Sequence, residues 1–272
     1  MLAEKLIVRD CPSCSTCNRG QVPFKYSEGP WVIKECANCR FVYLENVPVY
    51  AALQVELAWE STSETEREKK QVSEPVRQFF SSQIKFLRKE VLKRDKLSAL
   101  IGQYFHAGNV LDIGCASADM LSRLDERFIP FGVEISEFLA AEGNRRLKSR
   151  GGGVVQANAV LGTSSFESNF FTGIIMSAFL EHEASPAALL KESFRVLAVG
   201  GKAIIKVPNY NCIARVARGK KWCGFRYPDH VNYFTPGNLR SMCESAGFSI
   251  EQFTLADRYF LSDNMWIVLG KR

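Results

Sequence analysis

The sequence has no unbroken apolar run approaching the length a membrane span needs. Its first residues, Met1-Leu2-Ala3-Glu4-Lys5-Leu6, carry acid and lack an apolar segment followed by a small-residue cleavage site, so a cytoplasmic location is expected. Histidine is scarce, with only His106, His182 and His230, which leaves few places for imidazole chemistry. Acid is missing altogether from Lys202 to Tyr227, where Lys202, Lys206, Arg215, Arg218, Lys220, Lys221 and Arg226 stand. Such a stretch is either a solvated face or a patch for an anionic partner such as a phosphate, a nucleotide-sugar or RNA. The net charge of +6 over 272 residues is modest, so the chain as a whole does not read as a nucleic-acid binder.

With 46% apolar and 11% aromatic residues, the chain can build a substantial core. Of its nine cysteines, five fall within residues 11–39 in CxxC-like spacing. Four scattered cysteines and this cluster fit metal ligation in a reducing compartment better than disulfides. Cys11-Pro12-Ser13-Cys14 and Cys36-Ala37-Asn38-Cys39 are two knuckles that each turn both thiols the same way, so Cys11, Cys14, Cys36 and Cys39 converge on one tetrahedral Zn²⁺. Four thiolates leave zinc no open position, which makes its role structural. Cys17 also makes a CxxC pair with Cys14 and competes with Cys11 for that place. Strands are expected at Pro23–Tyr26, Trp31–Glu35 and Phe41–Leu44, in a ribbon too small to fold without a metal.

Three regions follow from this pattern: a zinc-ribbon-like segment over 1–48, a linker with an amphipathic helix over 49–100, and a larger domain over 101–272. Residues 60–70 interleave acids and bases, and Phe80, Ile84, Leu87 and Val91 recur at helical spacing between Pro75 and Lys93. A second helical stretch covers Leu97–Tyr104. Beyond it strands and helices alternate, with strands at Val110–Ile113, Phe131–Glu134, Val154–Ala157, Gly173–Met176 and Lys202–Pro208. Helices run from Ser136 to Lys148 and from Ser185 to Leu197, the latter broken by Gly200-Gly201. This alternation predicts an α/β fold: a doubly wound, mostly parallel, seven-stranded Rossmann-like sheet that binds ligands at the carboxyl ends of its strands. Asn238–Ala246, capped by Thr235-Pro236-Gly237, and the remainder to Leu269 would add a helix and antiparallel sixth and seventh strands.

The first of these strands ends in Asp112 and turns on Gly114-Cys115-Ala116-Ser117-Ala118 into a helix, an arrangement that points backbone N–H groups at a nucleotide-like ligand. Glu134 ends the next strand, where a carboxylate accepts two hydrogen bonds from ribose hydroxyls. Asn158, after the third strand, suits either an adenine amine or a turn.

Val110–Leu121, Phe131–Ile135, Gln156–Ala159, Phe179-Leu180-Glu181-His182 with Pro186, Gly200–Pro208 and His230–Phe248 together resemble, in order, the motifs of class I S-adenosylmethionine-dependent methyltransferases. They are most similar to the small-molecule branch, some of whose members carry an N-terminal four-cysteine zinc segment. The resemblance covers residues 100–272. It implies S-adenosylmethionine as cofactor, with Asp112, Gly114, Cys115 and Ala116 at its methionine end, Glu134 and Ile135 at the ribose, Asn158 and Ala159 at the adenine, and Ser177 at the end of the fourth strand.

Two departures stand out. Ala116 and Ala118 replace common glycines, which an alanine tolerates if its backbone torsions stay negative, and Thr172 stands where Asp is frequent. Some relatives carry a Glu-x-x-Glu-His run for a cation; here Ala178 takes the first place and leaves Glu181 and His182, too few for Mg²⁺. His182 and His230 fall where the methyl acceptor would approach, as catalytic bases or as structural residues.

The implied function is methyl transfer to a small, anionic or polar acceptor such as a saccharide or nucleotide-sugar, with the basic, aromatic stretch Asn209–Tyr227 as a substrate lid or as plain packing. An RNA or protein methyltransferase, and a non-catalytic scaffold with a degenerate fold, are the alternatives.

Overall fold

The computed structural model describes residues 6–49 and 96–272. The amphipathic helix expected over Pro75–Lys93 and the charged stretch 60–70 lie outside the described residues. The chain divides into two compact units, one of residues 1–49 with 106–272 and one of residues 50–105. In the second, the described residues form helix α1 (Lys96–Tyr104), where Leu97, Leu100 and Ile101 recur at helical spacing and are buried.

The first unit begins with short strands. β1 (Leu6–Val8) pairs antiparallel with β4 (Asn46–Pro48), and β2 (Ile33–Glu35) pairs with β3 (Val42–Leu44). The strand expected at Pro23–Tyr26 is instead a turn, closed by Ser27 N–H donating to the Phe24 carbonyl at 2.9 Å. Tyr26 leaves the strand geometry to bury its ring against Phe225, with 4.6 Å between centroids.

The alternating region is built from β5 (Gly108–Ile113), α2 (Asp119–Ser122), β6 (Phe128–Glu134), α3 (Glu137–Leu147), β7 (Gly153–Gln156), α4 (Ala159–Ser164), β8 (Phe171–Ser177), α5 (Pro186–Val196) and β9 (Leu197–Pro208). Val110, Leu111, Asp112 and Ile113 are all buried, as a strand covered on both faces requires. After β9 come α6 (Ile213–Arg218), β10 (Asn232–Tyr233), α7 (Pro236–Ser245), β11 (Ser249–Gln252) and β12 (Asn264–Gly270). The seven-stranded sheet has the order β11-β12-β9-β8-β5-β6-β7. β5, β6, β7, β8 and β9 are parallel; β12 is antiparallel to both β9 and β11. Only β12 therefore runs against the sheet, whereas the sequence suggests two such strands.

Capping follows the side chains at the helix starts. Ser136 and Thr235 accept from the N–H groups three residues on, which begins α3 and α7 where the sequence places them. The Gly200-Gly201 pair does not break α5, which ends at Val196; it lies inside β9, where Gly200 sits at φ 82°. The strand order reverses between β5 and β8, and the carboxyl ends of β5, β6 and β8 meet there.

The N-terminal segment is not a free-standing ribbon. β10, from the far end of the chain, adds to β3 as a third strand, pairing Asn232 with Tyr43 and Tyr233 with Val42. Phe41 packs on Phe234 at 5.2 Å, and Cys11, Cys36, Phe41 and Tyr43 share one apolar core with Leu111, Met176 and Val207.

Candidate functional site

The turn after β5 is made by backbone torsions rather than by glycine alone. Gly114, Ala116 and Ala118 lie at φ 77°, 47° and 56°. The expectation that the two alanines keep negative torsions is thus corrected: both are left-handed, a conformation that costs an L-residue roughly 1–2 kcal/mol. Surrounding contacts hold them there. Gly114 and Cys115 N–H both donate to the Val133 carbonyl, and Ala118, fully buried, donates to the Cys115 carbonyl. Gly114 has no room for a side chain, since a Cβ would lie 2.1 Å from Cδ2 of Phe179.

Glu134 braces this turn. Its Oε2 accepts from Ala116 N–H at 2.9 Å and its Oε1 from Ser136 N–H at 2.9 Å, so one carboxylate links the β5 turn to the start of α3. Asp112 is buried beside it. Burial, and after it the neighbouring Glu134 charge, pushes the Asp112 carboxyl up to about 8.

The remaining sequence-predicted residues divide. Ser177 ends β8, two residues beyond the rung that pairs Ile175 with Asp112, so it stands level with Gly114 at the strand ends. Ile135 is partly buried, and its carbonyl accepts from Gln156 Nε2 at 3.0 Å. The Cys115 side chain turns away into a small apolar cluster with Ala118, Leu121, Ala140 and Val154, against Gly132. Only its backbone belongs to the turn. Asn158 caps α4, its side chain accepting from Leu161 N–H at 3.0 Å, and Ala159 is buried in the main core. Thr172 is at the opposite end of β8, where its hydroxyl donates to the Asn109 carbonyl at 3.1 Å.

His182 and His230 lie side by side, rings edge to face with centroids 4.7 Å apart. They come from the segments after β8 and before β10, which are joined by Val231 and Asn232 N–H groups donating to the Glu181 carbonyl and by Asn232 Nδ2 donating to the Leu180 and Glu183 carbonyls. His182 Nδ1 meets the Asp229 carbonyl and His230 Nδ1 the Gly224 carbonyl, both at 2.9 Å. A carbonyl only accepts, so in each ring Nδ1 carries a proton. Burial, helped by the Arg226 charge, pushes His182 down to about 4 and keeps it neutral. Phe179, three residues before His182, packs on Gly114, so the histidine segment abuts the β5 turn.

The methyltransferase domain family matches residues 78–252, more than half of the chain. The chain belongs to that family. Its fold is that of S-adenosylmethionine-dependent methyltransferases. A SAM-dependent methyltransferase from Archaeoglobus fulgidus is similar with a TM-score of 0.52 and 20% identity, covering 70% of this chain and 99% of that one. Geranyl diphosphate C-methyltransferase from Streptomyces coelicolor A3(2) is similar with a TM-score of 0.53 and 17% identity, covering 65% and 77%. The [4+2]-cyclase SpnF shares the fold as well, with a TM-score of 0.51 and 18% identity over 65% and 81%. No curated protein sequence matches the chain.

In this methyltransferase the thiols of Cys11, Cys14, Cys36 and Cys39 all lie within 4.8 Å of one another. The two knuckles share one geometry: Ser15 and Arg40, at φ 59° and 60°, donate N–H to the carbonyls of Cys11 and Cys36. Sγ separations of 3.5 Å for Cys11–Cys39 and for Cys14–Cys36 are near the roughly 3.8 Å edge of a zinc–thiolate tetrahedron. Cys17 is exposed and stands outside this group, so the choice falls on Cys11.

The basic stretch is mostly committed to packing. Tyr210, Trp222 and Phe225 are buried, clustered with Tyr26, Ile33, Leu44 and Tyr233 from the N-terminal segment and β10. Arg226 pairs with Asp229 at 3.2 Å, Lys202 with Glu251 at 3.2 Å, and Arg215 donates to the Tyr210 carbonyl. Sequence reasoning missed Arg9. Half-buried, it donates to the Leu44, Ala184 and Val231 carbonyls at 2.9, 2.6 and 2.6 Å and to Asn232 Oδ1 at 3.0 Å. A lone arginine two residues before a CxxC carries no local signal of this.

Proposed function

We propose that the chain transfers the methyl group of S-adenosylmethionine to a small-molecule acceptor of the saccharide or nucleotide-sugar class. The observation that carries this is the juxtaposition of the Asp112–Glu134 turn with the His182–His230 pair at one end of the sheet. Asp112, Gly114, Cys115 and Ala116 hold the methionine end through carboxyl and backbone groups, Glu134 with Ile135 the ribose, Asn158 with Ala159 the adenine edge, and Ser177 closes the floor. The acceptor's lone pair would form a bond to the methyl carbon as the carbon–sulfur bond breaks, the electron pair going to sulfur and the acceptor's proton leaving to water or a neighbouring base. The sulfonium is already activated, so the protein supplies alignment and exclusion of water. His182 and His230 are the acceptor-facing groups.

Zn²⁺ on Cys11, Cys14, Cys36 and Cys39 is structural, and residues 1–48 act as a ribbon fused to the catalytic domain of 101–272, with 49–100 between them. The reduced thiols fit a cytoplasmic setting. Among the described residues no helix is long and apolar enough to cross a membrane. A macromolecular acceptor has less support, because the exposed bases of the acid-free stretch reduce to Arg218, Lys220 and Lys221.

Calorimetry with S-adenosylhomocysteine tests the cofactor, and absence of binding by zinc-loaded protein sinks the proposal. Glu134→Ala should weaken that binding about tenfold or more, because it removes both the ribose acceptor and the brace on Ala116. Transfer of labelled methyl into fractions of a cell extract would identify the acceptor class.

A further inference from the structure

We infer that Glu181, His182 and His230 form a second metal site, for a divalent first-row transition cation. One carboxylate oxygen and one ring nitrogen from each histidine lie within 4.8 Å of one another. Bonds of about 2.1 Å put neighbouring ligands of a six-coordinate ion roughly 3 Å apart, so the set closes on an ion with shifts of about an ångström or less per side chain.

Three further observations single out this cluster. Glu181 is 2% exposed, and its Oε2 is fully buried without a hydrogen-bond partner. Burying such an oxygen is costly unless something positive or protic meets it. Among the described residues no ion pair reaches it, since Arg226 bridges to Asp229 and Lys206 lies over the Trp266 ring at 5.5 Å.

Both histidines also carry the outer contact that metal-binding imidazoles use, Nδ1 to a backbone carbonyl, which fixes the ring orientation. Finally, the two segments are locked together before any ion arrives. The Glu181 carbonyl is tied to Val231 and Asn232, and Tyr233 Oη donates to the His230 carbonyl at 2.8 Å.

Two imidazoles and a carboxylate suit Zn²⁺, Fe²⁺, Co²⁺ or Mn²⁺ over Mg²⁺ or Ca²⁺. The sequence offers only Glu181 and His182 in one run, and tertiary structure brings the third ligand from 48 residues downstream. Three protein ligands leave open positions. Resting on the proposed methyl transfer, these would take neighbouring oxygens of the acceptor, such as two adjacent hydroxyls of a saccharide, and hold one of them toward the methyl group.

The test is titration of full-length, zinc-loaded protein with Co²⁺, followed by calorimetry and visible absorption. One Co²⁺ per chain is expected, with ligand-field bands and without the intense thiolate charge-transfer absorption that binding at the cysteines would add. Glu181→Gln and His230→Gln should each weaken binding tenfold or more. No second equivalent up to millimolar Co²⁺, a thiolate spectrum, or variants that bind as tightly as the parent would each overturn the site. If a variant does not fold, the imidazole ¹⁵N resonances of the parent decide: added Zn²⁺ should shift the Nε2 lines of His182 and His230, and unmoved lines refute it. S-adenosylhomocysteine binding measured on the same samples without Co²⁺ reports separately on the proposed function, so the two can fail independently.

Discussion

Single residues carry conformational and electrostatic loads that the sequence only partly signals. Alanine at 116 points to a right-handed backbone, yet the torsion is left-handed, held by Glu134 accepting from Ala116 N–H and by the chain entering α2. Ala116→Gly should therefore stabilise the protein by about 0.5–1 kcal/mol in urea unfolding, strain relief outweighing the added unfolded-state entropy. Asp112 was legible as the acid that ends its strand, but its protonation was not. Its carboxyl sits near 8 in the folded protein against 3.8 when exposed. Between those values the unfolded chain gives up the proton first, so this group's contribution to stability is complete below about pH 4 and is lost as pH rises to about 8. Asp112→Asn should remove that loss. Unfolding free energies for parent and variant at pH 5 and pH 8 should diverge by roughly 3–4 kcal/mol in the variant's favour at the higher pH. A constant difference would show that Asp112 ionises normally.

At the scale of elements, strands and helices followed from periodicity and caps, because Ser136, Thr235 and the buried run Val110–Ile113 act within a few residues of themselves. What failed were elements whose fate depends on distant partners. Pro23–Tyr26 alternates like a strand yet forms a turn, since Tyr26 is drawn against Phe225, and β10 pairs with β3 across almost two hundred residues. Arg9 holds that junction, with burial lowering its guanidinium to about 10 and the Glu183 charge opposing the shift. Arg9→Ala strands several buried carbonyls at once. It should destabilise the protein by about 3–5 kcal/mol, measured by chemical denaturation, while a surface change such as Arg123→Ala should cost less than about 0.5 kcal/mol.

For the whole molecule, the N-terminal cysteines and the methyltransferase sheet share one core, so metal at the first should report on the second. Removing zinc with a chelator under reducing conditions should lower the melting temperature by about 10 °C or more, followed by near-ultraviolet circular dichroism of the Trp222 and Tyr233 cluster. An unchanged melt would mean that the thiols need no metal. The sequence by itself determined the fold class, the acid-ended strands with the turn after Asp112, and the grouping of four thiols, because each is set by spacing within a few residues or by alternation along the chain. The tertiary structure alone decided that Cys17 stands aside, that the aromatics of the basic stretch are core, that Arg9 ties four acceptors together, and that Glu181, His182 and His230 converge. Those outcomes depend on long-range burial, where desolvation and packing choose among side chains that look equivalent in sequence.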